Sequence, residues 1–160
     1  MVLNELPVGY RFLPTDEELV KHYLLNKVIN QQVPATVIQD IDADVLYSQP
    51  PNDIVTFPCG EREWFFFISH KMEDENMNEH RSCRSSGAVT IRIVGNGRGF
   101  WKSNGGEIPV NINEGNIFAY KLCFTYFSGP HPDHGKKTHW VLEEIHLSQS
   151  SPQQSSKMLL

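Results

Sequence analysis

Apolar residues recur at Leu19, Val20, Tyr23, Leu24 and Val28, a spacing that sets them along one side of a helix. Just upstream, Thr15-Asp16-Glu17-Glu18 places a Glu three residues after a Thr. In that arrangement each side chain bonds the other's backbone N–H and satisfies donors the helix start leaves open. The acids of this first turn also suit the positive end of the helix dipole. The pattern predicts a helix from about Asp16 to Ile29, ended by Asn30-Gln31-Gln32 and Pro34. Asp42 to Ser48 is predicted as one short helical turn, closed by Pro50-Pro51.

From Glu63 the pattern changes to that of strands. Trp64-Phe65-Phe66-Phe67-Ile68 is an unbroken apolar run of aromatic and β-branched residues, expected for a buried strand. Ala88 to Val94 reads as a strand with Val89, Ile91 and Ile93 on one face. Ile117 to Phe127 reads as a long strand. Thr138 to Leu147 reads as another, with Trp140 and Leu142 alternating against polar neighbours. Met72 to Ser86 is polar and glycine-free, a mobile loop on this reading. Ser128 to Gly135 is dense in turn formers, and the Ser/Gln-rich segment 149–160 is expected to be disordered.

Composition narrows the class. At 160 residues the chain suits one domain with a short tail. The N-terminus lacks the basic start and apolar run of a secretory signal, and no stretch is apolar enough to span a membrane. Cys59, Cys83 and Cys123 are odd in number and widely spaced, which favours reduced thiols over a disulfide framework. The net charge of -5 opposes a nucleic-acid partner until its distribution is considered. Residues 1–80 hold 5 Lys/Arg against 14 Asp/Glu, whereas residues 81–160 hold 9 against 5. Arg81 to Lys102 contains no acid, so a local phosphate-binding surface can exist on an acidic chain.

Five blocks then carry a resemblance: Leu6 to Val20, Ile41 to Tyr47, Glu63 to Phe67, Gly99 to Gly105, and Lys137 to Glu144. In this order they resemble the NAC domain, the DNA-binding module of plant transcription factors. The likeness runs from about Glu5 to Leu147, and a domain of 5–148 is expected. It implies an α+β fold, with a twisted antiparallel sheet, an N-terminal helix and a short second helix packed beside it. It also implies a nuclear protein that binds double-stranded DNA as a homodimer, or as a heterodimer with other NAC proteins. No cofactor, membrane or small-molecule substrate is implied.

By the same resemblance, Leu6, Pro7, Gly9, Arg11 and Glu18 belong to the dimer contact, with Arg11 and Glu18 pairing between subunits. An Arg11 pair with helix acids of its own chain is the alternative. DNA contact falls to Arg92, Arg98, Trp101, Lys102, Ser103, Asn104, Gly105, Lys136 and Lys137. For Trp101, packing beneath the strand is weighed above base reading. Arg92 and Lys102 match basic family positions, whereas Arg98 lies in an insertion. The strand bearing Lys102 is expected to offer an edge to the major groove, which is about 12 Å wide. The family's Ala-Thr is Ser103-Asn104 here, and its following Lys is Gly106. The Ser128 to Thr138 loop has lost basic residues and gained Asp133, though Lys136 replaces an acid. Weaker DNA binding with altered preference is therefore expected, Asn104 remaining able to read an adenine edge.

Other chemistry fits less well. His131, Asp133, His134 and His139 cluster, and His80 precedes Cys83, but the paired spacing of a zinc site is missing. No metal and no enzyme activity is expected, since the chain has no nucleophile elbow, Walker loop or HExxH. Glu143-Glu144 alternates across a predicted strand and suits acid–base partnership poorly. The rival to a DNA-binding reading is a short dimerisation module that captures other NAC proteins and binds DNA weakly or not at all. The depleted loop and the short segment after the domain motivate it.

Overall fold

Thr15 starts the N-terminal helix in the manner its capping pair dictates. The Glu18 N–H donates to Thr15 Oγ1 at 3.2 Å, and the Thr15 N–H donates to Glu18 Oε2 at 2.8 Å. In this computed structural model, which describes residues 9–33, 38–55, 62–69, 89–110, 119–147 and 153–159, the helix runs as three consecutive stretches. Asp16–Glu18 and Leu25–Val28 are α-helical, and Leu19–Leu24 between them is wound more widely, with the Leu25 N–H bonded to the Val20 carbonyl. Asn30 stops it in the left-handed conformation at φ 55. Its N–H reaches Lys27 O and that of Gln31 reaches Asn26 O, which satisfies carbonyls the helix end leaves open. Thr15→Ala should cost about 1 kcal/mol in urea unfolding. An unchanged midpoint would assign the helix start to the Asp16–Lys121 ion pair of 2.7 Å instead.

The described strands are β1 (Gln39–Asp42), β2 (Glu63–Ser69), β3 (Ile91–Val94), β4 (Gly99–Ser103), β5 (Ile108–Val110), β6 (Ala119–Ser128), β7 (Lys136–Leu147) and β8 (Gln153–Leu159). They form one sheet in the order β1-β2-β8-β7-β6-β4-β3, with β5 also paired to β6. All pairings are antiparallel except β1 with β2. A parallel pair needs a crossover. Here it contains helices Ala43–Ser48 and Pro51–Ile54. The second of these departs from expectation: Pro51 does not merely close the preceding turn but opens a new helix at its first position, where a missing N–H costs nothing.

Both faces of β2 are covered, which explains its unbroken apolar run. Phe65 and Phe67 pack with Leu19, Val20 and Leu24 of the N-terminal helix. Phe66 and Ile68 face the other way, into a core with Ala43, Leu46, Trp101, Phe124 and Leu142. Phe12 joins the first layer through edge-on contacts with Tyr23 at 5.3 Å and Phe65 at 4.9 Å. The α+β architecture is the expected one.

One expectation is corrected. The Ser/Gln-rich segment, expected to be disordered, carries β8, which lies between β2 and β7 and pairs with both. Backbone hydrogen bonds hold a strand in such a slot whatever its side chains, so a polar composition does not forbid it. The predicted loop Met72 to Ser86 lies outside the described residues, as do Ala88 and Ile117.

Candidate nucleic-acid interface

β3 and β4 form a two-stranded ribbon at one margin of the sheet. Its register pairs Ile91 with Lys102, Arg92 with Trp101, Ile93 with Phe100 and Val94 with Gly99. Alternation therefore sends Arg92, Val94, Trp101 and Ser103 toward the core, and Ile91, Ile93, Phe100 and Lys102 to the other side. The edge strand is β3, not β4, since β4 has β3 on one flank and β6 on the other. The expectation that β4 offers a free edge is thus corrected: what it offers is one face of a ribbon.

Trp101 is fully buried and packs on Tyr126 with ring centroids 5.1 Å apart. It is a core residue, and a DNA contact by its indole is ruled out in this conformation. Ser103 is also buried: its hydroxyl accepts from the Thr90 N–H at 2.8 Å, and its own N–H donates to Thr90 O at 2.9 Å. It ties the approach to β3 onto β4 rather than facing a ligand.

Arg92 is likewise withdrawn. Its guanidinium forms a two-pronged pair with Glu144, with Nη2 3.1 Å from Oε2 and Nη1 bonded to Oε1. The rings of Tyr47 and Phe124 flank it, each centroid 4.6 Å away. Glu144 is completely buried, and it also accepts from the Tyr47 hydroxyl and meets His146 Nε2 at 3.1 Å. Burial pushes the Glu144 carboxyl up, and the His146 hydrogen bond and charge pull it back. Burial also lowers the Arg92 guanidinium to about 10, which leaves it a cation at neutral pH. The sequence signal for this anchor was the alternation of β7: Trp140, Leu142 and Glu144 share the inward face.

Lys102 and Asn104 are exposed, and Lys102 has no carboxylate partner among the described residues. Asn104 Oδ1 accepts from the Thr125 hydroxyl at 2.9 Å, so the outward end of the amide is its NH2 donor. The Asn104 N–H still bonds Cys123 O, and pairing with β6 resumes only at Ile108. The residues between bulge outward, and Gly105 sits there at φ 140, a conformation that a side chain would strain.

Arg98, Lys136 and Lys137 lie at the hairpin end of the ribbon. All are exposed, and with Pro51 and Trp140 they line a cleft of about 630 Å³. Arg98 pairs with Asp53 at 3.1 Å, an exposed contact worth only about 0–1 kcal/mol. The hairpin loop lies over Phe100, and a Cβ at Gly135 would fall 2.5 Å from that ring. His131 meets Asp133 at 3.2 Å in the same loop.

Comparison with known proteins bears on this arrangement. The family described as No apical meristem (NAM) protein matches residues 7–147. The chain belongs to the NAC family. NAC transcription factor 47 of Arabidopsis thaliana is 34% identical over 152 residues, covering 92% of this chain and 38% of its own length. NAC domain-containing protein 2 of Oryza sativa subsp. japonica is 35% identical over 144 residues, covering 89% of this chain and 40% of its own. NAC transcription factor 32 of Arabidopsis thaliana is 34% identical over 145 residues, covering 90% and 50%. The chain therefore spans half or less of the length of these relatives. NAC transcription factors 47 and 32 are transcription factors by name, in line with the sequence reading that no enzyme activity is expected.

Of the NAC dimer residues named from sequence, Leu6 and Pro7 lie outside the described residues. Gly9 is exposed at φ 93. Arg11 is exposed and makes no ion pair among the described residues, so the pairing with its own helix acids is not formed there. The Glu18 carboxylate is engaged in the helix cap. Two neighbours that sequence reading passed over stand out: Tyr10 is 72% exposed and Leu13 is 65% exposed. For Leu13 the signal was adjacency to Phe12, which turns inward; nothing in the local pattern marks Tyr10 as exposed.

Proposed function

We propose that this NAC chain is the DNA-binding and dimerisation part of a nuclear transcription factor, contacting double-stranded DNA with the outer face of the β3–β4 ribbon. The observation that carries the reading is the exposed Lys102, without a carboxylate partner among the described residues, beside Asn104 and the Gly105 bulge, in the block that resembles the family's DNA-contacting strand. A major groove admits a two-stranded ribbon, so an inner strand can reach the bases with its face. Lys102 serves a phosphate or a base acceptor. Asn104, with its carbonyl bonded to the Thr125 hydroxyl, offers its NH2 donor to an acceptor on a base edge, the adenine edge expected from sequence among them. Arg98, Lys136 and Lys137 supply phosphate contacts at the end of the ribbon, and these set affinity and register.

The partner is a second copy or another NAC protein. Exposed Tyr10 and Leu13 supply apolar area, and exposed Arg11 between them in sequence supplies a cation. Arg11→Glu should shift sedimentation toward the monomer; an unchanged profile would remove Arg11 from the contact.

The withdrawal of Arg92 into the core favours a second reading, in which the chain binds DNA poorly and captures other NAC proteins. Selection from a random duplex library at two salt concentrations separates the two. Enrichment of a defined site supports the first reading. No enrichment, with pairing to other NAC proteins retained, supports the second.

A further inference from the structure

On the edge strand, Ile93 is 64% exposed, Ile91 is 41% exposed, and Val89 just before it is 58% exposed. Exposed β-branched residues along a sheet edge invite unwanted pairing, and such edges are usually blunted by charge or proline. Both isoleucines share the outer side of the ribbon with Lys102, and Ile91 is its direct cross-strand partner. Directly opposed Cβ atoms lie about 5 Å apart. Any approach that brings Lys102 to a groove therefore brings Ile91 with it, and Ile93 about 7 Å further along the strand.

Lys102, exposed and directly across from Ile91, sets a cation beside this apolar strip, which suits a polyanion. Within the major groove the apolar group on a base edge is the C5-methyl of thymine. The other edges present hydrogen-bonding atoms, and an isoleucine laid against them would strip their water without replacing it. We propose that Ile91 and Ile93 read thymine methyl groups, so that the preferred site carries thymine where the β3 side of the ribbon enters the groove. The inference rests on the DNA-binding reading above and adds to it a base preference. Asn104 fits beside it, since its outward donor matches thymine O4 as well as other acceptors.

The test uses the best duplex from library selection and replaces each thymine singly with deoxyuridine, which removes the methyl and keeps the pairing edge. The intact chain is expected to lose about three- to fourfold in affinity for each methyl it buries. Ile91→Ser and Ile93→Ser should bind the thymine duplex more weakly and lose that discrimination, with thermal midpoints confirming that the variants fold. Indifference to deoxyuridine at every position, with Lys102-dependent binding intact, would overturn the thymine reading alone. A deoxyuridine penalty that persists in the double serine variant would also overturn it. Binding to no duplex at all would overturn both readings. If the serine variants alter self-association while duplex affinity stays unchanged, the occupant is a second copy and the inference fails.

Discussion

Glu144→Ala is expected to destabilise the domain by about 3–5 kcal/mol, enough to unfold much of the population in a marginally stable domain. Glu144 has no access to water, and its loss leaves the Arg92 guanidinium, the Tyr47 hydroxyl and His146 without their shared acceptor. The Arg92 side chain retains 22% exposure, so part of its charge can be hydrated and the cost falls toward the lower end of that range. Removing both charges together, as Arg92→Met with Glu144→Leu, should cost less than the sum of the single changes. Urea unfolding followed by tryptophan fluorescence reads all three variants. Additive costs would show that the two residues stabilise the fold independently.

Trp101→Ala should cost about 3–5 kcal/mol, because it empties a large site enclosed by Tyr126, Phe124 and Leu142. The change also separates two roles for the indole. Trp101→Phe keeps most of the packing and should leave the DNA sequence preference of the folded domain unchanged, with a modest drop in unfolding midpoint. A shift in preferred site at unchanged stability would place the indole against DNA after all.

Local signals were the legible part of this chain. The capping pair at Thr15 and Glu18 depends on residues three apart, and Asn30 ends the helix through bonds within one turn. The strand at Trp64 to Ile68 was readable because both sheet faces bury it, leaving no polar positions to blur the pattern. Strand order was not readable, since it depends on pairings between distant segments. Hence β4 was expected to be an edge and β8 was not expected at all.

The candidate site divides in the same way. Alternation put Val89, Ile91 and Ile93 on one face but could not say that this face is the exposed one. The family pattern marked Arg92 as basic, yet its destination depends on Glu144, 52 residues away. Lys102, singled out by the family pattern, is exposed and has no carboxylate partner among the described residues. The two short helices of the crossover, which supply Tyr47 to the anchor, were half visible: the first from its composition, the second hidden behind Pro50-Pro51.

The most direct measurement is the affinity of a selected duplex for the unaltered chain and for Lys102→Ala, titrated between about 50 and 200 mM salt. The expected result is a steep fall in affinity with salt, with Lys102→Ala binding more weakly to all sequences and showing a slope smaller by about one. Affinity indifferent to salt, or identical curves for the two proteins, would contradict a ribbon that grips DNA through Lys102.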